Sequence, residues 1–152
     1  MRFKKPNFWD SKNISFWAIL LLPISTIYLI VFFLIKFYKI NFNQKHYTIP
    51  IICVGNIVVG GTGKTPLTIE IFKFLKLDGK KPAFIKKKYD YLIDEVEMLK
   101  KVGSTFVSGK NRKIAINNSI SDGHNVVILD DGYQDFSLKP NFSVLCFNSK
   151  QL

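Results

Sequence analysis

The longest stretch without a charged residue runs from Asn13 to Ile35 and is rich in Leu, Ile and Phe. A helix of this length is roughly 34 Å long, enough to cross a hydrocarbon core of about 30 Å. The stretch is too long for the apolar part of a secretory signal, and no small-x-small cleavage site follows it. Burial in a soluble core is the competing interpretation. Aromatic residues near both ends suit the headgroup level of a membrane, namely Trp9, Trp17, Phe37 and Tyr38.

The flanks of this stretch do not give it an orientation, because both are basic. The flanking cations are Arg2, Lys4, Lys5 and Lys12 before it and Lys36, Lys39 and Lys45 after it. A break of the helix near its middle stays open at Pro23, which is followed by Ser25 and Thr26. Two interpretations stay open: a single span, and an interfacial insertion, as a bent or interface-lying hairpin, that keeps both basic flanks beside anionic headgroups.

Composition limits what the rest of the chain can be. With 152 residues and 47% hydrophobic content, one domain of ordinary size is expected and a disordered chain is excluded. Two cysteines are too few for a disulfide scaffold or a four-thiolate zinc site. A net charge of +11 favours an anionic partner, such as a membrane surface, a nucleotide or a nucleic acid. Aromatic residues do not interleave with Lys and Arg, so no nucleic-acid partner is expected.

Beyond the apolar stretch, short apolar runs alternate with helical patterns. This alternation, with nearly continuous apolar strands, predicts an α/β fold: a parallel sheet with flanking helices. The sequence predicts a membrane-associated segment over residues 1–46 and a nucleotide-binding domain over 47–152. The linker between them is expected around the boundary, at Asn41–Thr48. The predicted strands are Ile49–Val54, Pro82–Ile85, Thr105–Val107, Val126–Leu129 and Ser143–Phe147, and the predicted helices are Pro66–Leu77, Leu92–Lys101 and Arg112–Ile120.

The segment Val58–Thr65, VVGGTGKT, stands between the first strand and the first helix of this domain. That context is typical of a phosphate-binding loop, so the fold is expected to resemble P-loop NTPases. The backbone N–H groups of a glycine-rich loop close around phosphate oxygens, and the helix dipole adds to the attraction. Lys64 is expected to reach the β- and γ-phosphates and to act in catalysis, and the Thr65 hydroxyl to bind Mg²⁺. The predicted nucleotide-binding residues are Val58, Val59, Gly60, Gly61, Thr62, Gly63, Lys64 and Thr65.

Two carboxylates follow the apolar run Val126–Leu129 directly. Asp130 and Asp131 are expected at the carboxyl end of a buried parallel strand, beside the phosphate loop. A carboxylate in that position holds Mg²⁺ directly or through water. Together with Thr65 they form the predicted metal site, so the sequence predicts ATP and Mg²⁺ as ligands.

The sequence resembles the tetraacyldisaccharide 4'-kinase family of lipid A biosynthesis in Gram-negative bacteria. VGNIVVGGTGKTP at Val54–Pro66 is similar to the family's V-G-N-x-x-V-G-G-x-G-K-T-P signature, and DDGYQ at Asp130–Gln134 to its D-D-G-x-Q element. Asp94 and Glu95, with Met98 and Leu99, resemble its D-E-P-x-L-L element. The segment Ser108–Arg112 resembles its V-G-x-x-R element.

The resemblance implies phosphoryl transfer from ATP to the 4'-hydroxyl of a lipid disaccharide 1-phosphate at the cytoplasmic face of the inner membrane. Asp94 would then accept the hydroxyl proton, although from the residues alone it reads as a first-turn acid of a helix. The family is about twice this length and has a second α/β half. Its S-R-G-Y-G element is replaced here by Lys86-Lys87-Lys88-Tyr89-Asp90. A solvated strand end is expected for these lysines, with contact to phosphate as the alternative. Asp135 stands where the family commonly has His.

Two alternatives to a kinase stay open. One is a non-catalytic nucleotide- and membrane-binding fragment. The other is a different membrane-associated P-loop NTPase, such as a GTPase, although the sequence has no Asn/Thr-Lys-x-Asp guanine-recognition element. The sequence does not determine an oligomeric state.

Overall fold

The computed structural model describes residues 16–42, 44–56, 62–89, 93–109 and 111–147. The chain divides into two compact units, Met1–Asn43 and Gln44–Leu152. The described part of the first unit is one helix of 27 residues, α1 (Phe16–Phe42). At 1.5 Å per residue, α1 is about 40 Å long. From Ile19 to Phe42 it is long and apolar enough, by length and composition, to cross a membrane.

The structure has no helix break at Pro23, because α1 continues through this residue. The hairpin is wrong as well, since the chain does not reverse direction between Phe16 and Phe42. A span and a helix that lies in the interface both stay predictions. A proline removes a single backbone donor, and the other backbone bonds of a long helix remain. The hydroxyls of Ser25 and Thr26 donate to the carbonyl of Leu22 at 2.8 and 2.9 Å, so they are satisfied inside the helix.

The second unit contains a five-stranded sheet in which every pair of neighbouring strands is parallel. Its spatial order is β3-β2-β4-β1-β5. The strands are β1 (Ile51–Gly55), β2 (Pro82–Lys87), β3 (Thr105–Ser108), β4 (Val126–Asp130) and β5 (Phe142–Leu145). The predicted α/β class and all five predicted strands are confirmed, with ends that differ by at most two residues.

Helices cover both faces of this sheet. They are α2 (Lys64–Leu77), α3 (Ile93–Val102) and α4 (Arg112–Ser121). On one face, Ala115 and Ile116 of α4 pack with Val127 and Leu129 of β4. On the other face, α2 and α3 pack against the sheet, and the rings of Phe72 and Phe84 stack with centroids 4.3 Å apart. Because both faces are covered, the central strand β4 is buried along its whole length.

The register of the sheet places three strand ends side by side. Asp130 of β4 pairs with Val54 of β1 on one side and with Lys86 of β2 on the other. The carboxyl ends of these strands therefore meet at one edge, and α2 begins at the same edge, since the chain enters it from β1. In open parallel sheets, ligands bind in the crevice at this edge.

Candidate active site

The predicted phosphate loop leads into the N-terminus of α2. Gly63 precedes the helix with a φ of 75°, a left-handed conformation that a glycine adopts without steric cost. Thr62 lies just before it. Its buried Oγ1 has no hydrogen-bond partner within the residues that the structure describes. A buried hydroxyl without a protein partner beside a helix N-terminus suits an anionic ligand. The other predicted loop residues, Val58, Val59, Gly60 and Gly61, lie outside the described residues.

Lys64 connects the start of α2 to the ends of two strands. Its Nζ donates to Oδ1 of Asn56 at 2.8 Å and lies 3.2 Å from Oδ1 of Asp131. Asn56 directly follows β1, and Asp131 directly follows β4. The structure therefore brings the predicted lysine and one predicted carboxylate together. It also adds Asn56, which sequence reasoning left without a role although its place after β1 was visible.

Asp130 is the buried acidic group of the site and is fully shielded from solvent. Its Oδ2 accepts from the Thr65 hydroxyl at 3.4 Å, and its Oδ1 accepts from the Thr68 hydroxyl at 3.5 Å. Both threonines lie on α2, one turn apart. The two predicted metal-binding residues Thr65 and Asp130 thus face each other, while Asp131 is directed to Lys64.

Lys86 differs most from its expected role. A solvated strand end was expected for the three lysines, but the side chain of Lys86 is only 3% exposed. Its Nζ lies 2.5 Å from Oδ2 of Asp130 and also donates to Oε2 of Glu95 on α3. Burial acts to lower the pKa of Lys86, but the two carboxylates outweigh it and hold that pKa above its usual value. Lys86 is therefore a buried cation of the site.

The adjacent residues Asp94 and Glu95 differ in burial and in contacts. Both belong to the first turn of α3, where acidic residues complement the helix dipole. Glu95 is half-buried and contacts Lys86, whereas Asp94 is exposed. The structure does not bring Asp94 together with Lys64 or Asp130, and its assignment as the proton acceptor stays a prediction.

These side chains surround a cavity of about 140 Å³ at the carboxyl edge of the sheet. It is smaller than the roughly 300 Å³ at which small-molecule pockets begin, so the described residues enclose room for phosphate groups and not for a whole nucleotide. Three cations balance three carboxylates around it. The lining residues are Lys64, Lys86, Lys87, Tyr89, Glu95, Asp130 and Asp131.

The oxygen donors at this edge suit Mg²⁺ in their chemistry. A threonine hydroxyl and a carboxylate are hard ligands, and Mg²⁺ in phosphate sites takes one or two carboxylates with phosphate oxygens and water. Thr65 and Asp130 supply such a pair. Within the described part of the chain, no group of three His, Cys, Asp or Glu side chains could hold a metal ion by itself. The Asp130 oxygen that faces Thr65 also accepts from Lys86.

A buried arginine fixes the backbone beside the site. Arg112, the first residue of α4, donates from one Nη to the carbonyl of Asp131 at 2.7 Å and from the other to Asp135 at 3.3 Å. Asp131 has a φ of 59°, so this turn holds a side-chain-bearing residue in the left-handed region. The Arg112 contact stabilises that turn and with it the position of the Asp131 carboxylate.

Asp135 is held as an anion by the same network. It accepts hydrogen bonds from the hydroxyl of Ser137 at 2.6 Å and from its backbone N–H at 3.2 Å. Burial acts to raise the pKa of Asp135, but the Ser137 hydrogen bonds and the Arg112 guanidinium outweigh it and hold that pKa below its usual value. Asp135 therefore has a structural role as the partner of Arg112.

Comparison with known proteins agrees with this geometry. The family model for tetraacyldisaccharide-1-P 4'-kinase, LpxK, matches residues 17–152. The chain is 44% identical over 149 residues to the tetraacyldisaccharide 4'-kinase of Pelagibacter ubique, covering 98% of this chain and 46% of the relative. It is 32% identical over 165 residues to that of Legionella pneumophila strain Corby, covering 95% of this chain and 50% of the relative. The chain thus spans about half the length of the curated relatives it matches.

A solved structure of the same family also resembles this fold. LpxK from Aquifex aeolicus, crystallised in complex with ATP, superposes with a TM-score of 0.70 at 26% sequence identity, covering 86% of this chain and 49% of that one. The parallel sheet and its helices are therefore shared with an ATP-binding protein. A family match over nearly the whole chain disfavours the alternative of an unrelated P-loop NTPase. The chain belongs to the tetraacyldisaccharide-1-P 4'-kinase family.

Proposed function

We propose that the unit Gln44–Leu152 binds the phosphates of ATP and Mg²⁺ for phosphoryl transfer to the 4'-hydroxyl of a tetraacyl disaccharide 1-phosphate. The observation that carries the proposal is the meeting of Lys64 and Thr65 at the start of α2 with Asp130 and Asp131 at the end of β4. The names of the relatives support the reaction, and the ATP complex of the Aquifex aeolicus protein supports the nucleotide.

The geometry suits the requirements of phosphoryl transfer, which are positioning and neutralisation of charge. Lys64 supplies a cation beside the N-terminus of α2, where the helix dipole also favours phosphate. Thr65 and Asp130 would hold Mg²⁺, which when bound neutralises charge on the phosphate oxygens. Arg112 keeps the Asp131 turn in place through the Asp131 carbonyl.

Asp94 remains our candidate for the group that accepts the proton of the attacking hydroxyl. It lies one residue from Glu95, which reaches the cavity, and its exposed carboxylate is accessible to a second substrate. A base must come within hydrogen-bond reach of the hydroxyl, and this distance often shortens only when the substrate is bound.

The helix α1 is proposed as a membrane anchor that brings the domain to its lipid substrate. Its apolar side chains from Ile19 to Phe42 are exposed, and it is long enough to cross a bilayer. The proposed substrate is a lipid with acyl chains, so a membrane-bound enzyme encounters it by diffusion within the plane of the membrane. We place the domain at the cytoplasmic face of the inner membrane, where ATP is available.

Calorimetry and a transfer assay together test the function. The full chain in detergent micelles should bind Mg²⁺–ATP, and the transfer assay should follow labelled γ-phosphate onto a lipid A disaccharide precursor. Because the chain spans about half of its relatives, the assay is run with and without the remaining half of the Pelagibacter ubique relative. Failure to bind ATP would refute the nucleotide site, and binding without transfer in the mixture would refute the kinase activity.

A further inference from the structure

The buried ammonium of Lys86 occupies an unusual place for a cation. Its side chain is 3% exposed and lies at the carboxyl edge of the sheet. Its Nζ forms ion pairs with two carboxylates from different elements, Asp130 of β4 and Glu95 of α3. Asp130 is itself fully buried. A buried carboxylate of this kind requires a positive partner, because an isolated charge in the interior is costly.

The position of this ammonium coincides with one side of the predicted metal site. Oδ2 of Asp130 lies 3.4 Å from the Thr65 hydroxyl and 2.5 Å from Nζ of Lys86, so one oxygen atom is shared between the proposed Mg²⁺ ligand pair and the lysine. A divalent ion and an ammonium that share one carboxylate oxygen repel each other at close range. The other carboxylate on Lys86, Glu95, also lines the cavity and is an oxygen donor of the type that Mg²⁺ takes.

From this placement we propose that Lys86 is a resident cation of the phosphate site. Its ammonium occupies Asp130 and Glu95, weakens the binding of a divalent ion there, and reduces the dependence of nucleotide binding on that ion. The weaker binding of the divalent ion rests on the geometry of Lys86 alone. The reduced dependence of nucleotide binding on that ion rests also on the proposed nucleotide site.

The charge balance of the cavity explains both the weaker binding of the divalent ion and the reduced dependence of ATP binding on it. Without Lys86, three carboxylates would face the phosphates with only Lys64 and Lys87 to balance them. Free ATP would then be repelled, and a divalent ion would be needed to bridge the two. With Lys86 present, three cations face three carboxylates, so free ATP meets a balanced site.

The first test measures Mn²⁺ binding to the full chain in detergent micelles without nucleotide, by the loss of the free-ion paramagnetic resonance signal. Lys86→Ser introduces the residue of the family's S-R-G-Y-G element and frees both carboxylates. We expect the Lys86→Ser variant to bind Mn²⁺ at least about tenfold more tightly than the unchanged chain. A tenfold change corresponds to the same free energy as a shift of about one pKa unit. Adding Glu95→Gln should remove most of this gain.

Lys87→Ser is the matched control. Lys87 also lines the cavity, but its Nζ lies over the ring of Tyr89, 5.4 Å from the ring centroid. The Lys87→Ser variant loses the same charge as Lys86→Ser but does not free Asp130. We therefore expect its Mn²⁺ affinity to change by less than about threefold. An equal gain in both variants, or none in Lys86→Ser, would overturn the proposal. If Lys86→Ser does not fold, as judged by circular dichroism, Lys86→Gln replaces it with the same expected gain, because it also removes the positive charge.

The second test needs no substitution. ATP affinity of the unchanged chain is measured by calorimetry in Mg²⁺ and in a chelator, and we expect a ratio below about three. A ratio above about thirty would overturn the proposal even if no Lys86 variant folds. If the chain binds no ATP under either condition, the proposed nucleotide site fails, whereas the Mn²⁺ measurement still decides the role of Lys86.

Discussion

The Nζ atom of Lys64 lies 3.2 Å from Oδ1 of Asp131, although the two residues are 67 positions apart in sequence. The contact joins the first residue of α2 to the turn after β4, across the edge at which the sheet presents its carboxyl ends. The ammonium of Lys64 is paired with the carboxylate of Asp131 and also donates to the amide oxygen of Asn56. Two of the three N–H donors of this ammonium are thus engaged, and a bound phosphate would compete with Asp131 for its positive charge.

Lys64→Ala should weaken ATP binding by roughly 10- to 100-fold, the usual range for one lost hydrogen bond to a charged group. The loop glycines and the helix dipole remain in this variant, so binding is reduced and not abolished. Calorimetry in the presence of Mg²⁺ measures the change. Lys73→Ala, which removes an exposed lysine paired with Glu70 on the same helix, should leave the affinity within about twofold. Equal losses in the two variants would contradict the assigned role of Lys64.

The prediction of the fold succeeded where local pattern decides structure. The strand β4 and the helix α2 were expected within two residues of their observed ends, because an unbroken apolar run and a glycine-rich turn are local signals. Asp130 and Asp131 could be placed beside Lys64 for a related reason, since parallel strands end at one edge.

Lys86 could not be placed from sequence for a reason of distance. Three consecutive lysines are typical of a solvated strand end, and the burial of the first depends on Asp130, which lies 44 positions later in the chain. Register decides the matter, since Lys86 pairs directly with Asp130 across the sheet. The difference between Asp94 and Glu95 depends in the same way on the rotational setting of α3, where one residue turns a side chain by about 100°.

The stability of the second unit should depend on pH through Asp135. The pKa of Asp135 is lower in the folded state than in the unfolded chain, so its contribution is fully present above an unfolded value of about 3.9. The contribution is lost as the pH falls through the folded value, because protonation removes the partner of Arg112. Urea unfolding at pH 7 and at successively lower pH measures the slope.

Asp135→Asn should lower the free energy of unfolding at pH 7 by about 1–3 kcal/mol, because the buried guanidinium of Arg112 loses its charged partner. This variant should also show a flatter decline of stability below pH 4 than the unchanged chain. Glu70→Gln, which removes an exposed carboxylate, is the control and should change stability by less than about 0.5 kcal/mol. An identical pH dependence in all three proteins would contradict the role of Asp135.

Membrane affinity should reside in the first unit. A shortened chain that begins at Gln44, the first residue of the second unit, should not sediment with neutral liposomes. Its remaining binding to anionic liposomes should fall as salt is raised, because only basic contacts are left. The full chain should sediment with both kinds of liposome at every salt concentration. Sedimentation of the shortened chain with neutral liposomes at the level of the full chain would show that α1 is not the anchor.

Transfer, in contrast to ATP binding, should depend on Asp94. Its carboxylate is exposed and does not line the cavity, so Asp94→Asn should leave ATP affinity unchanged. If Asp94 accepts the proton of the attacking hydroxyl, the same variant should lower the rate of transfer by about 10²–10⁴. The measurement uses labelled γ-phosphate and a lipid A disaccharide precursor, with the remaining half of the Pelagibacter ubique relative added, because the chain spans about half of that relative. Asp122→Asn is the matched control, because Asp122 caps the far end of α4 and should change neither quantity. Unchanged transfer in Asp94→Asn would remove Asp94 from the reaction. A parallel loss of ATP affinity would show instead that Asp94 acts in nucleotide binding.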